Sequence, residues 1–351
     1  CSVTTAGGGW RAYANPYTAA SPQGNGGYQM TFGFDLINAS VPDNAGVNAI
    51  PSISDGFCAG SQDVTARIRN YGNNILDSVM VDWTVNGSSQ GSQWFTLGLD
   101  SAAGSGTIDT VVNLGSYTFT NGNLYDVKVW TSMPNGVPDT MNNNDTTTIT
   151  VGPAMQGTYV IGSSGGADYS NFSDAVSDLN ILGVCDTVWF DVETGNYTEQ
   201  FQIDQILGAA ADRPVYFQSI SGNASDVHII QTATNNTTNY VVSLNGADHV
   251  SFLDMTIRNT TSGTYSNAFS ITGSADSNTI DGCVIKAGPT TYTGAGNYST
   301  GIYMYGNNHG NTFTNNRIEG GSCSIYAYGG GLTSRAENTT IDNNIIKNSY
   351  F

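Results

Sequence analysis

The chain has 351 residues, with 10 Lys or Arg against 28 Asp or Glu and a formal net charge of −18. That length allows two ordinary domains. So acidic a chain lacks the basic footprint of a nucleic-acid binder or of a protein held to anionic lipid. Only 11% of residues are charged, and Gly, Asn, Ser and Thr fill the gap, a mixture suited to turns and β-ladders rather than helical bundles. No apolar run approaches the ~20 residues of a membrane span, so membrane insertion is not expected.

Residues 1–46 are rich in Gly, Ala, Asn and Pro, with one strand pattern at Tyr28–Phe34. They are expected to form the end of a preceding β-domain or a linker. Residues 47–152 alternate clearly: Val64, Ala66 and Ile68 on one face, Val79, Val81, Trp83 and Val85 on another, then the turn Asn86-Gly87, then Tyr125, Val127 and Val129. Short alternating strands with regular turn signals predict an immunoglobulin-like β-sandwich. At Gly152-Pro153 the pattern changes. Phe172, Ala175, Val176, Leu179 and Leu182 fall at helical spacing, with Ser170 as the expected N-cap and Gly183 as the stop.

From residue 240 an internal repeat appears. One strand recurs at Val241–Gly246, Phe269–Gly273, Ile302–Gly306 and Ile325–Gly329, and a second begins at Phe252, Ile280, Phe313 and Ile341. Short strands with variable loops predict a parallel β-helix over 153–351. The helix near 172–182 would cap its N-terminal end, and Asn315 over Asn343 and Asn316 over Asn344 would stack at the corners. The coil ending at Ile346 has no visible cap, so the domain is expected to be truncated there and the chain to continue. Five cysteines, Cys1, Cys58, Cys185, Cys283 and Cys323, allow at most two internal disulfides, and spacing does not choose the pairing.

Two stretches resemble known families. Phe57–Val64, Arg69-Asn70-Tyr71-Gly72 and Val81–Gly87 resemble the Ig-like, CARDB-type modules of large surface proteins of Bacteroidota, commonly exported by the type IX system. Residues 157–351, with the capping helix and the coil start Gly195-Asn196-Tyr197-Thr198-Glu199, resemble the pectate-lyase-like superfamily of right-handed parallel β-helices. The whole is thus expected to be all-β, a sandwich followed by a β-helix with an N-terminal capping helix.

The resemblance implies an extracellular, cell-surface location and a structural or adhesive role within a giant secreted protein or appendage. Its partners would be other domains or copies of the same long chain, in a homo-oligomer. The alternative is a module that binds or degrades polysaccharide, with surface glycans as partners. The acidic pairs and basic motifs that the enzymes of this fold use are missing, so no catalytic residue is assigned and a non-enzymatic segment is expected.

Four columns bear on sites. Arg258, Lys286, Glu319 and Lys347 align, and are read as a solvated row in which Glu319 relieves its basic neighbours. Asp248, Asp276, His309 and Glu337 align, and Asp248 with Asp276 forms a candidate calcium site, the one cofactor considered. Tyr303, Tyr305, Tyr326 and Tyr328 occupy the other two. They are candidates for stacking sugars, with at most one of each pair expected outside. Finally, triplets of Asp, then Ser or Thr, then an apolar residue or Thr occur six times, against roughly two by chance. They resemble an O-glycosylation signal of Bacteroidota, marking Ser78, Ser101, Thr110, Thr140 and Thr146 in the sandwich.

Overall fold

Alternation of apolar residues sets the first unit. In the computed structural model, which describes residues 41–53, 56–232, 235–288, 294–331 and 335–349, seven strands form two antiparallel sheets. They are β1 (Ala45–Ala49), β2 (Gly60–Asn70), β3 (Leu76–Val85), β4 (Ser88–Leu99), β5 (Asp109–Phe119), β6 (Tyr125–Ser132) and β7 (Thr146–Val151). One sheet has the order β1-β2-β5 and the other β4-β3-β6-β7. Val64, Ala66 and Ile68 of β2, Val79, Val81, Trp83 and Val85 of β3, and Val127 and Val129 of β6 are all buried. The alternation read from the sequence is the inner face of the sandwich. Asn86 and Gly87, at φ 49° and 76°, make the left-handed two-residue turn that matches strand twist. The Tyr28–Phe34 strand pattern lies outside the described residues. Ala45 and Gly46 already belong to β1.

The second unit comprises residues 56–58 and everything from Pro153 onward. It is a right-handed parallel β-helix. After β8 (Met155–Ile161) comes α1 (Phe172–Leu182), and then β9 (Val184–Val192), β10 (Gly195–Tyr197), β11 (Phe201–Ile203), β12 (Val215–Ser219), β13 (Val227–Gln231) and β14 (Val242–Asn245). Four further rungs of short strands follow the same order, the last with two strands. These are β15 (Val250–Leu253), β16 (Thr256–Asn259), β17 (Phe269–Thr272), β18 (Thr279–Asp281), β19 (Val284–Lys286), β20 (Thr300–Tyr305), β21 (Thr312–Thr314), β22 (Arg317–Glu319), β23 (Cys323–Tyr328), β24 (Thr340–Asp342) and β25 (Ile345–Lys347). They stack into three parallel sheets: β8-β9-β12-β15-β18-β21-β24, β10-β13-β16-β19-β22-β25 and β11-β14-β17-β20-β23.

Because one residue of each coil lies over one residue of the next, the core is a set of columns. Phe190, Phe217 and Phe252 are in register, with ring centroids 4.6 and 5.0 Å apart. Ile280 and Phe313 continue that column. In the last described coil, Ile341 and Ile346 continue inward columns yet are exposed.

Buried asparagines tie coil to coil. Asn316 accepts from the Cys283 N–H at 2.9 Å and donates to the Ile280 carbonyl at 2.7 Å. Asn344 makes the same pair of bonds with Asn316 and Phe313. A second ladder, Asn278 and Asn311, does so elsewhere on the coil. Turning a corner exposes backbone groups to an apolar interior, and an amide side chain supplies both the acceptor and the donor they need.

Helix α1 packs Phe172, Ala175, Val176 and Leu179 inward, and Phe172 stacks on Phe201 at 5.2 Å. Its N-cap is Asn171, not Ser170. Asn171 has the extended φ and ψ of a cap, and its Oδ1 accepts from the Asp174 N–H at 2.8 Å. Ser170 stands one residue too early and instead accepts from the Asn171 side chain. Glu199 supplies the rest of the cap, its two oxygens accepting from the Phe172 and Ser173 N–H groups at 3.0 and 2.8 Å. The glutamate of the coil-start motif therefore holds the capping helix by satisfying orphan N–H groups and countering the positive helix end. Gly183 ends the helix at φ 66°. A Cβ there would stand 2.3 Å from the Leu207 carbonyl oxygen.

Cys58 and Cys185 form a disulfide, and Cys283 and Cys323 are free and buried. The bridge fastens residues 56–58 to the second unit, where the Phe57 carbonyl also accepts from the Ala154 N–H at 2.8 Å.

Candidate functional site

Strand β20 runs Thr300-Gly301-Ile302-Tyr303-Met304-Tyr305. Ile302 and Met304 are buried, and Tyr303 and Tyr305 face outward. Strand β23 repeats this with Tyr326 and Tyr328, paired in register with Tyr303 and Tyr305. The expectation of at most one outward tyrosine per pair is corrected. Residues two apart on a strand share a face, so both tyrosines of each pair stand on the outer surface.

The four rings form a two-by-two array. Centroids are 5.7 and 5.8 Å apart across the strands, and 6.3 and 6.2 Å along them. Their planes lie within 3° to 29° of parallel. Tyr305 and Tyr328 are 45% and 50% exposed. None of the four hydroxyls bonds to a protein group among the described residues. Burial raises the Tyr303 phenol above its ordinary range, with Tyr326 and Tyr305 adding to the effect. The Tyr303 hydroxyl therefore stays protonated, available as donor and acceptor, across the physiological range. Alongside it, the outward positions of earlier coils are polar: Gln202, Ser243 and Ser270 in one column, Asn245 and Thr272 in the other. These strands place no Lys or Arg on that face.

The basic column is where the repeat predicts it. Arg258 pairs with Lys286, Lys286 with Glu319, and Glu319 with Lys347. Lys286 Nζ lies 3.3 Å from Glu319, which Arg317 also contacts. Burial pushes the Glu319 carboxyl up, but hydrogen bonds from Arg317 and Lys286 outweigh it and hold the group below its usual value. Two of the cations in this sheet are thus already engaged.

Asp248 and Asp276 fall on adjacent coils. The Asp276 N–H donates to Asp248 Oδ1 at 2.7 Å, and the His309 N–H donates to Asp276 Oδ1 at 2.6 Å. The Glu337 N–H donates to His309 Nδ1 at 3.2 Å. The side chains of Asp248, Asp276 and His309 each cap the backbone of the next coil. Burial raises the Asp248 carboxyl, opposed by the Asp276 N–H and reinforced by the Asp276 charge.

The glycosylation candidates scatter over the sandwich. Thr140 and Thr146 are exposed, and Ser78, Ser101 and Thr110 are half-buried. Three of their aspartate side chains have partners. Asp100 accepts from the Ser101 and Gly106 N–H groups, Asp109 pairs with Arg67 at 3.0 Å, and Asp139 accepts from the Ala45 and Met141 N–H groups. Turn capping thus accounts for Asp100 and Asp139 in the triplets.

The chain matches no protein-family model, and no curated protein matches it. Among solved structures, a pectin methylesterase from Aspergillus niger is similar over 50% of this chain and 56% of its own, at 20% identity and a TM-score of 0.36. The chain thus spans little more than half the length of that enzyme. A CARDB domain from Pyrococcus furiosus, solved in complex with di-metal ions, is covered to 96% by 32% of this chain, at 18% identity and a TM-score of 0.26. A family 28 exopolygalacturonase from Yersinia enterocolitica covers 88% of this chain and 70% of its own, at 10% identity and a TM-score of 0.30.

The arrangement is an immunoglobulin-like β-sandwich followed by a parallel β-helix. The expectation of a non-enzymatic segment is corrected: the β-helix neighbours are enzymes, pectin methylesterases and a polygalacturonase. At these identities the likeness is one of fold, and it assigns no activity.

Proposed function

We propose that the β-helix unit binds polysaccharide on the outer face of β20 and β23. The tyrosine array carries the reading. Four rings in register, with hydroxyls that bond to no protein group among the described residues and a polar strip beside them, offer apolar contact for the faces of sugar rings and hydrogen bonds for their hydroxyls. The absence of Lys and Arg from this face, together with a net charge of −18, favours a neutral chain over an acidic one. The Cys58–Cys185 bridge supports an extracellular setting, since disulfides persist in oxidising compartments.

The test is affinity electrophoresis of the whole chain in gels holding neutral polymers (xylan, glucomannan) or acidic ones (polygalacturonan, alginate). A neutral polymer is expected to retard the protein, and Tyr305→Ala with Tyr328→Ala to remove the retardation without shifting the melting temperature. Equal retardation of wild type and double variant, or retardation by no polymer, would defeat the proposal.

A further inference from the structure

We infer that strand β4 of the sandwich is an interface between two copies of this chain, joined edge to edge about a two-fold axis at Trp94. Strand β4 has 12 residues and lies at the end of its sheet, paired with β3 alone. Its other edge meets no backbone partner among the described residues, so a row of N–H and C=O groups stays open to pairing. Natural edge strands are blunted by charge, by proline or by bulges. Ser88–Leu99 contains no Lys, Arg, Asp, Glu or Pro. Bulges are present, and they set the window. The β3–β4 register shifts between Trp83 and Thr84 and again between Leu76 and Ser78, and between those shifts residues 91–96 pair without interruption with residues 78–83. A bulge ends regular pairing, so a further strand can join β4 only along 91–96.

The opposite seam of the sandwich is closed. There the Thr147 hydroxyl donates to the Val47 carbonyl at 2.5 Å, the Thr131 hydroxyl donates to the Ala45 carbonyl at 2.9 Å, and Asp139 accepts from the Ala45 N–H at 3.0 Å. Side chains thus occupy backbone groups of β1. Across the β4 seam, one side-chain bond is made among the described residues, from Gln93 to the Leu114 carbonyl at 2.6 Å. It uses no backbone group of β4.

Trp94 and the charge decide the partner. The Trp94 side chain is 52% exposed on the outer face of the sheet, in register with Met80. Directly opposed residues of an antiparallel pair share a face, so two copies of one strand are related by an axis through a residue, not between two. An axis through Trp94 sets it against its own copy and Ser92 against Thr96, all on the outer face. Opposed Cα atoms then lie about 4.5–5.5 Å apart, and the two indoles cover each other as a cross-strand aromatic pair. The strand is uncharged in a chain of net charge −18. Most other self-contacts would set carboxylate against carboxylate, which opposes association. A two-fold contact of this kind closes on itself and leaves β4 no free edge.

The test is sedimentation equilibrium and amide hydrogen exchange of the whole chain from about 5 μM to about 0.5 mM, a range suited to the weak affinity of a small interface. The mass is expected to rise toward that of two chains, and N–H groups within 91–96 to gain protection as it does. Trp94→Lys should stay monomeric throughout, with the wild-type melting temperature at the lowest concentration, which guards against a variant that merely misfolds. Ser92→Cys combined with Thr96→Cys keeps Trp94, and on mild oxidation should give a disulfide-linked dimer, because opposed Cα atoms fall within disulfide reach. The inference fails if the wild type stays monomeric at the highest concentration, or if Trp94→Lys associates as the wild type does. It fails equally if the dimer forms without that cross-link. Protection of 91–96 that is the same at every concentration would place the partner within one chain and overturn it as well.

Discussion

Asn315 and Asn316 are adjacent and chemically identical, yet the structure gives them opposite weights. Asn316 is 1% exposed and bonds to the Cys283 N–H and the Ile280 carbonyl. Asn316→Ala leaves the Cys283 N–H buried without a partner, at about 1–3 kcal/mol, and deletes a second hydrogen bond of about 1 kcal/mol. The sum is a loss of about 2–4 kcal/mol. Asn315 is exposed, has φ 57°, and its side chain bonds only to those of Asp281 and Asn343. Asn315→Gly removes those surface bonds but suits the left-handed backbone, so the net change should stay under about 1 kcal/mol. Because the chain has two units, a single unfolding midpoint would mix them. Native-state hydrogen exchange of the segment 278–320 reads the β-helix alone. Asn316→Ala costing less than about 1 kcal/mol there, or Asn315→Gly costing as much as its neighbour, would refute the assignment of the ladder to backbone satisfaction.

Three further outcomes are expected. Glu199→Ala should destabilise the capping helix by about 1–2 kcal/mol through loss of its N-terminal partners, seen as faster amide exchange over 170–185; unchanged exchange would place the cap elsewhere. Reduction of Cys58–Cys185, which are separated by 127 residues, should lower stability by up to about 5 kcal/mol on the chain-entropy account, and an unmoved denaturation midpoint under reductant would contradict it. Glu319 has its folded carboxyl held below the usual value. Its contribution is therefore present above the unfolded carboxyl range and lost as the pH falls through the folded one. Glu319→Gln should flatten that acid-side loss in a pH series of melting temperatures, and a profile identical to wild type would count against the Lys286 and Arg317 contacts.

Repetition made much of the β-helix legible. A parallel coil places one residue directly over its counterpart, so gap-free alignment of the second strands gave the Arg258, Lys286, Glu319, Lys347 column in true register. The period of two gave the inner faces of the sandwich strands for the same local reason. The tyrosines show that the information was present and misapplied: Tyr303 and Tyr305 are two apart, so they lie together, and Ile302 and Met304 turn inward between them. The N-cap slipped by one residue because Ser170 and Asn171 can both cap, and only the backbone angles at Asn171 choose.

What sequence by itself determined is whatever repeats or alternates locally: two β architectures, the rungs, the capping helix and the outward columns. Only the tertiary structure decided the pairing of Cys58 with Cys185, the bond from Glu199 to the helix end, and the meeting of Asn44 with Asn144. These contacts join residues 127, 27 and 100 positions apart. Their partners carry no period and no spacing rule. They meet because the chain's turns and sheet packing bring distant polar groups to one place, where burial makes each group's choice of partner energetically decisive.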